Sequence, residues 1–534
     1  MVHDGVAAAP CYNASNPSPR TRAMSTASGL LADSKPAELR FSTIAGWIHA
    51  TKRLNCSPKQ LSQSDSIATS WATRRHRKVS YMLTTLLPTG ALFAGVALLL
   101  LGSGLLNTVV ALRGSLEGFS DTTLGLIGST YFLGYFLGTF IAPRLIRRMG
   151  HIRAFAFFGA AVAVCMLLHA LIVHALFWML LRVITGVALV GFYAVIESWL
   201  NEQTPAARRG QVFAVYMAVN LLALAGAQQL LRVDGPESFT LFAIAAIFVC
   251  LSLLPMTMTR LPQPQIGHAA KLDLGMVWRA APAAFVGAIS SGIAMGAFWS
   301  LGPIYGERIG LDAGGIAMLM TSAILGGALL QWPIGHLSDS GDRRKALGMV
   351  ATAATVTAAV MVAMGSFEMV ALVGFFIFGG AAFTVYPIVV AHLIDHLHQH
   401  DILAGNTGIL FLHGVGAAVG PLIAGGLLEY VGPTGLPLHF AISFAPLAIF
   451  ALLQARRSKD EIIDEAAEFA PMLRTSPVAL DMVSPDAETD SAPACATADK
   501  GEEDGAPAVA AAETAAAATE KGRDIDSIPP MQSQ

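Results

Sequence analysis

The sequence predicts an all-α membrane protein: twelve transmembrane helices in two pseudo-symmetric six-helix bundles, flanked by disordered tails. Three observations carry this. The 534-residue chain is 54% hydrophobic and 13% charged, about half the charge of an ordinary soluble domain. Between Leu83 and Arg457 it breaks into about twelve apolar runs, each near the ~20 residues needed to cross hydrocarbon. Basic residues crowd alternate turns between those runs, which is the pattern of a chain threading a bilayer.

The runs come in two sets of six. The first set is Leu86–Leu112, Asp121–Pro143, Ala154–Val173, Leu176–Asn201, Gly210–Leu231 and Phe239–Thr259. The longest internal polar stretch follows at Arg260–Pro282. The second set is Ala283–Ile304, Ala313–Leu337, Ala346–Gly365, Met369–Ile394, Leu403–Glu429 and Leu436–Leu453. Six runs, a linker and six more is the layout of an internal repeat. The expected domains are an N-terminal bundle over 83–259, a linker over 260–282 and a C-terminal bundle over 283–457. Residues 1–82 and 458–534 are polar, or rich in Ala and acids, without a sustained apolar period. Such segments bury too little surface to offset chain entropy, so both are expected to be solvated and disordered. Met82, just ahead of the first apolar run, is the natural start.

Orientation follows from the short loops. One side holds Arg144, Arg147, Arg148 and Arg153, then Arg208–Arg209, then Arg343–Lys345, then Arg456–Arg457. The other holds Arg113, Arg232 and Arg308, each beside an acid. The basic side, with both tails, is expected in the cytoplasm of a cell's inner membrane. The five cysteines form no disulfide framework, and no Cys or His spacing suggests a metal site. No phosphate-cradling loop is present, and no nucleophile or acid–base cluster sits at one depth. An enzyme is therefore not expected, nor a cofactor, nor a nucleic-acid partner.

The stretch Gly326–Lys345 combines small residues, Pro333 and Gly335 with a charge cluster: Asp339, Asp342, Arg343, Arg344 and Lys345. A glycine, an acid four residues on and paired arginines resemble the signature loop of the major facilitator superfamily. Further matches are Ser129-Thr-Tyr-Phe with Gly134 and Gly138, Arg182-x-x-x-Gly186, Glu197-Ser198, Gln331-Trp-Pro-Ile-Gly335 and Phe383-Thr-Val-Tyr-Pro387. They place the resemblance in its YcaD-like branch. The resemblance implies secondary active transport of a small solute by alternating access, with proton coupling, in a chain acting as a monomer. Two other readings stay open: proton-linked drug efflux, and a non-transporting receptor on a carrier scaffold. The glycine-rich, Gly420-Pro421 segment of the eleventh run lies where the family's drug exporters have its symmetry mate, which weakens the efflux reading.

The first-half copy of the signature carries Pro143 at the glycine and Arg147 at the acid. This suggests a charge swap, with Arg147 or Arg148 meeting Asp401 or Asp395 when the cytoplasmic side closes. Asp339, beside Arg343 and Arg344, would face Arg209 at the start of the fifth helix. The alternative is that these arginines only obey the positive-inside rule.

Ionisable residues inside a span mark functional candidates, since burying one costs at least ~2.5–3.5 kcal/mol. The fourth run holds Arg182 and Glu197, on one helical face with Gly186, Leu189 and Tyr193. Glu197 reads either as a proton carrier or as a brace of the cytoplasmic gate. Arg182 reads as an anion contact, an interhelical tie or a snorkelling side chain. Together they favour an anionic or zwitterionic metabolite. Asn107, Asn220 and Gln228 are further cavity candidates, or interhelical ties. Trp299 and Tyr386, each near a proline, could clamp a ring-shaped ligand or simply pack. His413 could titrate or serve as a hydrogen-bonded spacer.

Overall fold

The computed structural model describes residues 90–205, 208–258, 272–365, 367–457 and 469–472. The extension over 1–82, Arg260, Lys271 and most of the C-terminal tail lie outside the described residues. Among the described residues, twelve helices are long and apolar enough to cross a membrane. They are α1 Gly90–Leu116, α2 Asp121–Met149, α3 His151–Leu171, α4 Ala175–Gln203, α5 Arg209–Gln229 and α6 Phe239–Met258, then α7 Pro282–Arg308, α8 Ala313–Asp339, α9 Arg343–Met364, α10 Glu368–Ile394, α11 Ile402–Val431 and α12 Gly435–Arg457. A short helix, Leu274–Ala280, precedes α7 and starts where Asp273 accepts a hydrogen bond from the Met276 amide at 2.8 Å.

Side-chain caps open several spans. Ser120 accepts from the Thr123 amide at α2, Asp312 from Gly315 at α8, and Asp342 from Arg344 at α9. The sequence ends the second span at Pro143, but α2 continues through it to Met149. A proline late in a helix removes one hydrogen bond and bends the rod without ending it. Arg144, Arg147 and Arg148 are therefore helical. Gly150 then turns the chain directly into α3 at φ 80°, a conformation that disfavours other residues.

The helix surface is inverted relative to a soluble protein. Outward-facing positions carry large apolar groups such as Phe157, Leu176, Leu222, Leu329 and Trp332. The interior is mainly apolar too, but it also holds polar groups: Arg182, Glu197, Asn220, Gln228, Gln331, Asn406 and His413 are all buried. Small residues then set how closely the helices approach. A methyl group at Gly134 would overlap the Val183 carbonyl, and one at Gly186 the Tyr131 carbonyl, so α2 and α4 touch backbone to backbone. The second half repeats this contact, with Gly326 against Phe376 and Gly379 against Ala323, in α8 and α10. The two halves are thus related by their packing as well as by their order.

They meet through α2 against α11 and α5 against α8, again a symmetric pair. Gly125 sits on Pro421 and Gly425, and the Gln229 amide donates to the Thr321 hydroxyl at 2.6 Å. Arg308 pairs with Asp121 at 2.9 Å, Glu429 accepts from the Thr122 amide at 2.9 Å, and Arg232 donates to the Gly314 carbonyl at 3.2 Å. These bonds lie at the end bearing the α1–α2, α5–α6, α7–α8 and α11–α12 turns, called here the far end. The opposite end carries the α2–α3 and α8–α9 turns with their arginines, and is called the basic end.

Four described residues of the tail differ from the expected solvated state. Phe469, Ala470, Pro471 and Met472 are packed into the bundle, and Met472 is 2% exposed.

Candidate functional site

A central cavity of about 100 Å³ lies between the halves and takes side chains from both. The N-terminal half supplies Ser103 and Asn107 from α1, Tyr131 and Phe132 from α2, Tyr193 from α4 and Asn220 from α5. The C-terminal half supplies Ser291, Met295 and Trp299 from α7, Phe383 and Tyr386 from α10, and His413 from α11. Six sequence-predicted residues therefore reach it: Asn107, Tyr193, Asn220, Trp299, Tyr386 and His413. Among the described residues, none of the side chains lining it is a carboxylate, a lysine or an arginine.

The lining is arranged as polar groups beside flat rings. Trp299 meets Phe383 edge-on at 5.9 Å, and Tyr386 meets His413 edge-on at 4.8 Å. Asn220 donates to the Tyr216 carbonyl of its own helix at 2.6 Å. The Ser291 hydroxyl oxygen is buried and has no hydrogen-bond partner among the described residues. A buried polar group left in this condition costs free energy that a hydrogen-bonding ligand would return.

The charged residues of α4 sit off the cavity. Arg182 donates to the Asn107 side-chain oxygen at 2.7 Å, and its guanidinium stands over the Tyr131 ring at 5.4 Å. Its Nε has no hydrogen-bond partner among the described residues. Arg182 thus stands behind Asn107 and Tyr131 and holds two residues that themselves line the cavity. At the other end of the stripe, Glu197 is 0% exposed and its Oε1 accepts from the Tyr216 hydroxyl at 2.9 Å. Leu189 and Tyr193, between them, face the cavity. The common face is real, but helix packing splits it into an open middle and two covered ends. Gln228 is also diverted, since its carbonyl accepts from Thr108 at 2.7 Å and ties α5 to α1.

At the basic end the signature residues are bonded within their own half. Arg343, 4% exposed, meets Asp395, 2% exposed, at 2.6 Å, and also meets Asp339 at 3.0 Å. Arg344 pairs with Asp342 at 3.2 Å. Asp401 sits 3.3 Å from His400. Arg147 and Arg148 are exposed. The anticipated meeting of Arg147 or Arg148 with Asp395 is not made here, because Arg343 already holds that carboxylate. Asp339 does not face Arg209 either: its other partner is the Phe469 amide, at 3.1 Å. At the far end, by contrast, the halves are bonded to each other.

Ser103, Tyr131, Phe132, Ser291, Met295, Phe383 and Met472 also line the cavity and were not singled out as site residues. Ser103 was within reach of sequence reasoning, being one helical turn from Asn107 on the same face. Ser291 was legible only as a hydroxyl within an apolar run. Met472 carries no sequence signal, as it lies in a polar tail.

Among described residues no group of three or more metal-binding side chains occurs. Comparison with known proteins then fixes the family. The model of the Major Facilitator Superfamily matches residues 92–411 and 284–485. The MFS-type transporter YcaD of Salmonella paratyphi A, itself uncharacterised, is 28% identical over 354 residues, covering 65% of this chain and 91% of YcaD. YcaD of Salmonella typhimurium matches to the same extent. Among solved structures, the nucleoside transporter NupG superposes with a TM-score of 0.59 at 13% identity, covering 70% of this chain and 100% of NupG. A bacterial homologue of the human lysosomal transporter Spinster, inward-facing and occupied, gives 0.55 at 15% identity, covering 72% and 99%. The chain is a multi-pass membrane transporter, not an enzyme, and belongs to the Major Facilitator Superfamily.

Proposed function

We propose that the chain is a secondary active carrier that moves a small polar solute by alternating access, with the central cavity as its solute site. The observation that carries this is the cavity itself, shared by both halves and lined by hydrogen-bonding groups set against aromatic rings. A site between two halves joined at one end can open to alternate sides as the halves rock. The basic end faces the cytoplasm, as do both termini, in the inner membrane. The carrier works as a monomer.

The solute class that fits is an uncharged, ring-bearing molecule with several hydrogen-bonding groups. Sequence reasoning favoured an anion or zwitterion because Arg182 and Glu197 share a face with Tyr193. Arg182 is instead engaged by Asn107 and Tyr131, and Glu197 by Tyr216. The amides, hydroxyls and rings that remain suit a neutral solute, since a bare charge in so uncharged a cavity would go unpaired. NupG, similar in fold, is a nucleoside transporter, which accords with this class.

Coupling to protons runs through Glu197, the buried carboxyl group of α4. Its Tyr216 partner lies one turn from Asn220, so a change in the Glu197–Tyr216 bond reaches a cavity side chain through four residues of helix. Asp339, Arg343, Arg344, Arg147, Arg148, Arg209 and Asp401 form the cytoplasmic gate when that side closes. Counterflow in proteoliposomes tests the reading. Exchange of a labelled nucleoside or a comparable uncharged ring solute is expected, and exchange confined to organic anions would overturn the solute class. Glu197→Gln should abolish acceleration by an inward proton gradient while sparing exchange. Gradient-driven uptake that survives the change would remove Glu197 from the coupling.

A further inference from the structure

The short segment Phe469–Met472 has no place in the mechanism above. It lies beyond the last spanning helix, which ends at Arg457. Yet its side chains occupy the space the mechanism needs. The Phe469 ring covers Gly335 so closely that a methyl group there would overlap it. The Phe469 amide donates to Asp339 Oδ1 at 3.1 Å. Three residues on, Met472 lines the central cavity beside groups from both halves. The segment thus enters at the basic end of α8 and reaches the solute site. A strand of chain can take this course only where the halves stand apart.

We propose that Phe469–Met472 is a built-in plug, which occupies the basic-end mouth of the cavity and must withdraw before a solute can enter or leave by that route. Each residue has a distinct part. Gly335 leaves a recess that accepts an aromatic ring because it has no side chain of its own. Asp339 holds the plug backbone by accepting its amide hydrogen. Pro471 donates no amide hydrogen bond and stiffens the strand between the two anchors. Met472 supplies an unbranched, adaptable side chain that fills an irregular space among rings. The size of the cavity agrees. About 100 Å³ remains beside Met472, whereas sites for small organic ligands usually offer about 300–1,000 Å³.

The plug has a further consequence at the gate. The Asp339 oxygen that bonds the Phe469 amide also bonds Arg343. While the plug is seated, that carboxylate is tied within its own half, and the inserted strand fills space that the closing halves would need. The plug therefore holds the carrier with its basic end parted, and it acts by blocking both entry and closure. Any partner or modification that draws the tail off Gly335 and Asp339 would switch the carrier on.

The idea holds whatever the solute is, so its test uses thiol chemistry rather than transport. The full-length chain is prepared with its five cysteines replaced by alanine and with Ser291→Cys in the cavity wall. The reaction rate of the introduced thiol with a small hydrophilic methanethiosulfonate is then measured. Adding Phe469→Asp with Met472→Asp should accelerate it at least tenfold, because both side chains would leave an apolar seat for water. Gly335→Leu, which fills the ring's recess from the other side, should do the same with the tail sequence unchanged. Met472→Cys in the cysteine-free chain should react at least tenfold more slowly than after denaturation. Equal rates for the Ser291→Cys thiol with and without the tail changes, or an unprotected Met472→Cys thiol, would overturn the proposal. Since no solute enters the assay, its failure leaves the transport reading untouched, and failure of counterflow leaves the plug untouched.

Discussion

Arg343 and Asp395 form a deeply buried ion pair, 2.6 Å apart with 4% and 2% of their side chains exposed. Removing one member of such a pair leaves a charge without compensation, at a cost of about 3–5 kcal/mol. Asp395→Asn should therefore lower the unfolding temperature of the purified protein markedly. Asp401→Asn, beside an exposed neighbour in His400, should hardly change it. A thermal-shift comparison of the two variants checks this, and equal effects would remove Asp395 from the fold's supports. Sequence reasoning had both aspartates as candidates for the same swap, since loop position alone does not tell which carboxylate is buried. Arg182 and Glu197 teach a similar lesson. Their burial and their shared face were legible from spacing. Their partners, Asn107 and Tyr216, were not, because those partners stand on other helices.

At the scale of the element, the helices are ordered by where they carry glycine. Gly186 in α4 faces the Tyr131 carbonyl, and Gly134 in α2 faces that of Val183. Any side chain at these points must push two backbones apart. Overpacking of this kind costs about 1–3 kcal/mol, and more where backbone is the obstacle. Gly186→Leu is expected to yield little folded protein by size-exclusion profile. Gly426→Leu, at a position open to space, should behave like the parent. Normal folding of Gly186→Leu would contradict the close α2–α4 contact. This level was the most legible of all, since twelve spans, their order and their small-residue stripes can be read from hydropathy and spacing. The misses fell at helix ends. Pro143 looked like a stop and is instead an interior bend, because one lost hydrogen bond late in a 29-residue helix is not enough to end it. The helix Leu274–Ala280 was hidden within a stretch read as polar linker.

For the whole molecule, the arrangement is a pair of related halves bonded at the far end, with a small crevice between them and a strand of the tail inserted from the basic end. The far-end clamp is made of modest contacts. Arg308 is 41% exposed in its pair with Asp121, so the pair contributes no more than about 1 kcal/mol. Asp121→Asn should consequently raise the reactivity of a thiol placed at Ser300, behind the clamp against Gly128, by up to about fivefold from the far side. An unchanged rate would mean that the glycine contacts alone keep this end shut. A weak clamp suits a carrier, whose two end states must lie within a few kcal/mol of each other to interconvert. The family was readable from the signature around Gly335 and Asp339. What sits on that signature was not, because Phe-Ala-Pro-Met has neither charge nor period to set it apart from the tail around it.

The central claim is that the uncharged cavity shared by the two halves is the solute site. It is tested most directly by ligand-induced stabilisation of the purified full-length chain. A panel of nucleosides, zwitterions, organic anions and lipophilic cations is compared in the parent and in the Asn107→Ala, Asn220→Ala and Trp299→Ala variants. A true solute at a hundredfold excess over its Kd should stabilise the folded state by about 2.7 kcal/mol. The account predicts that an uncharged ring solute does this in the parent, and that each variant weakens its binding at least tenfold. Stabilisation by anions alone, lost on Arg182→Gln and indifferent to Asn220 and Trp299, would contradict it.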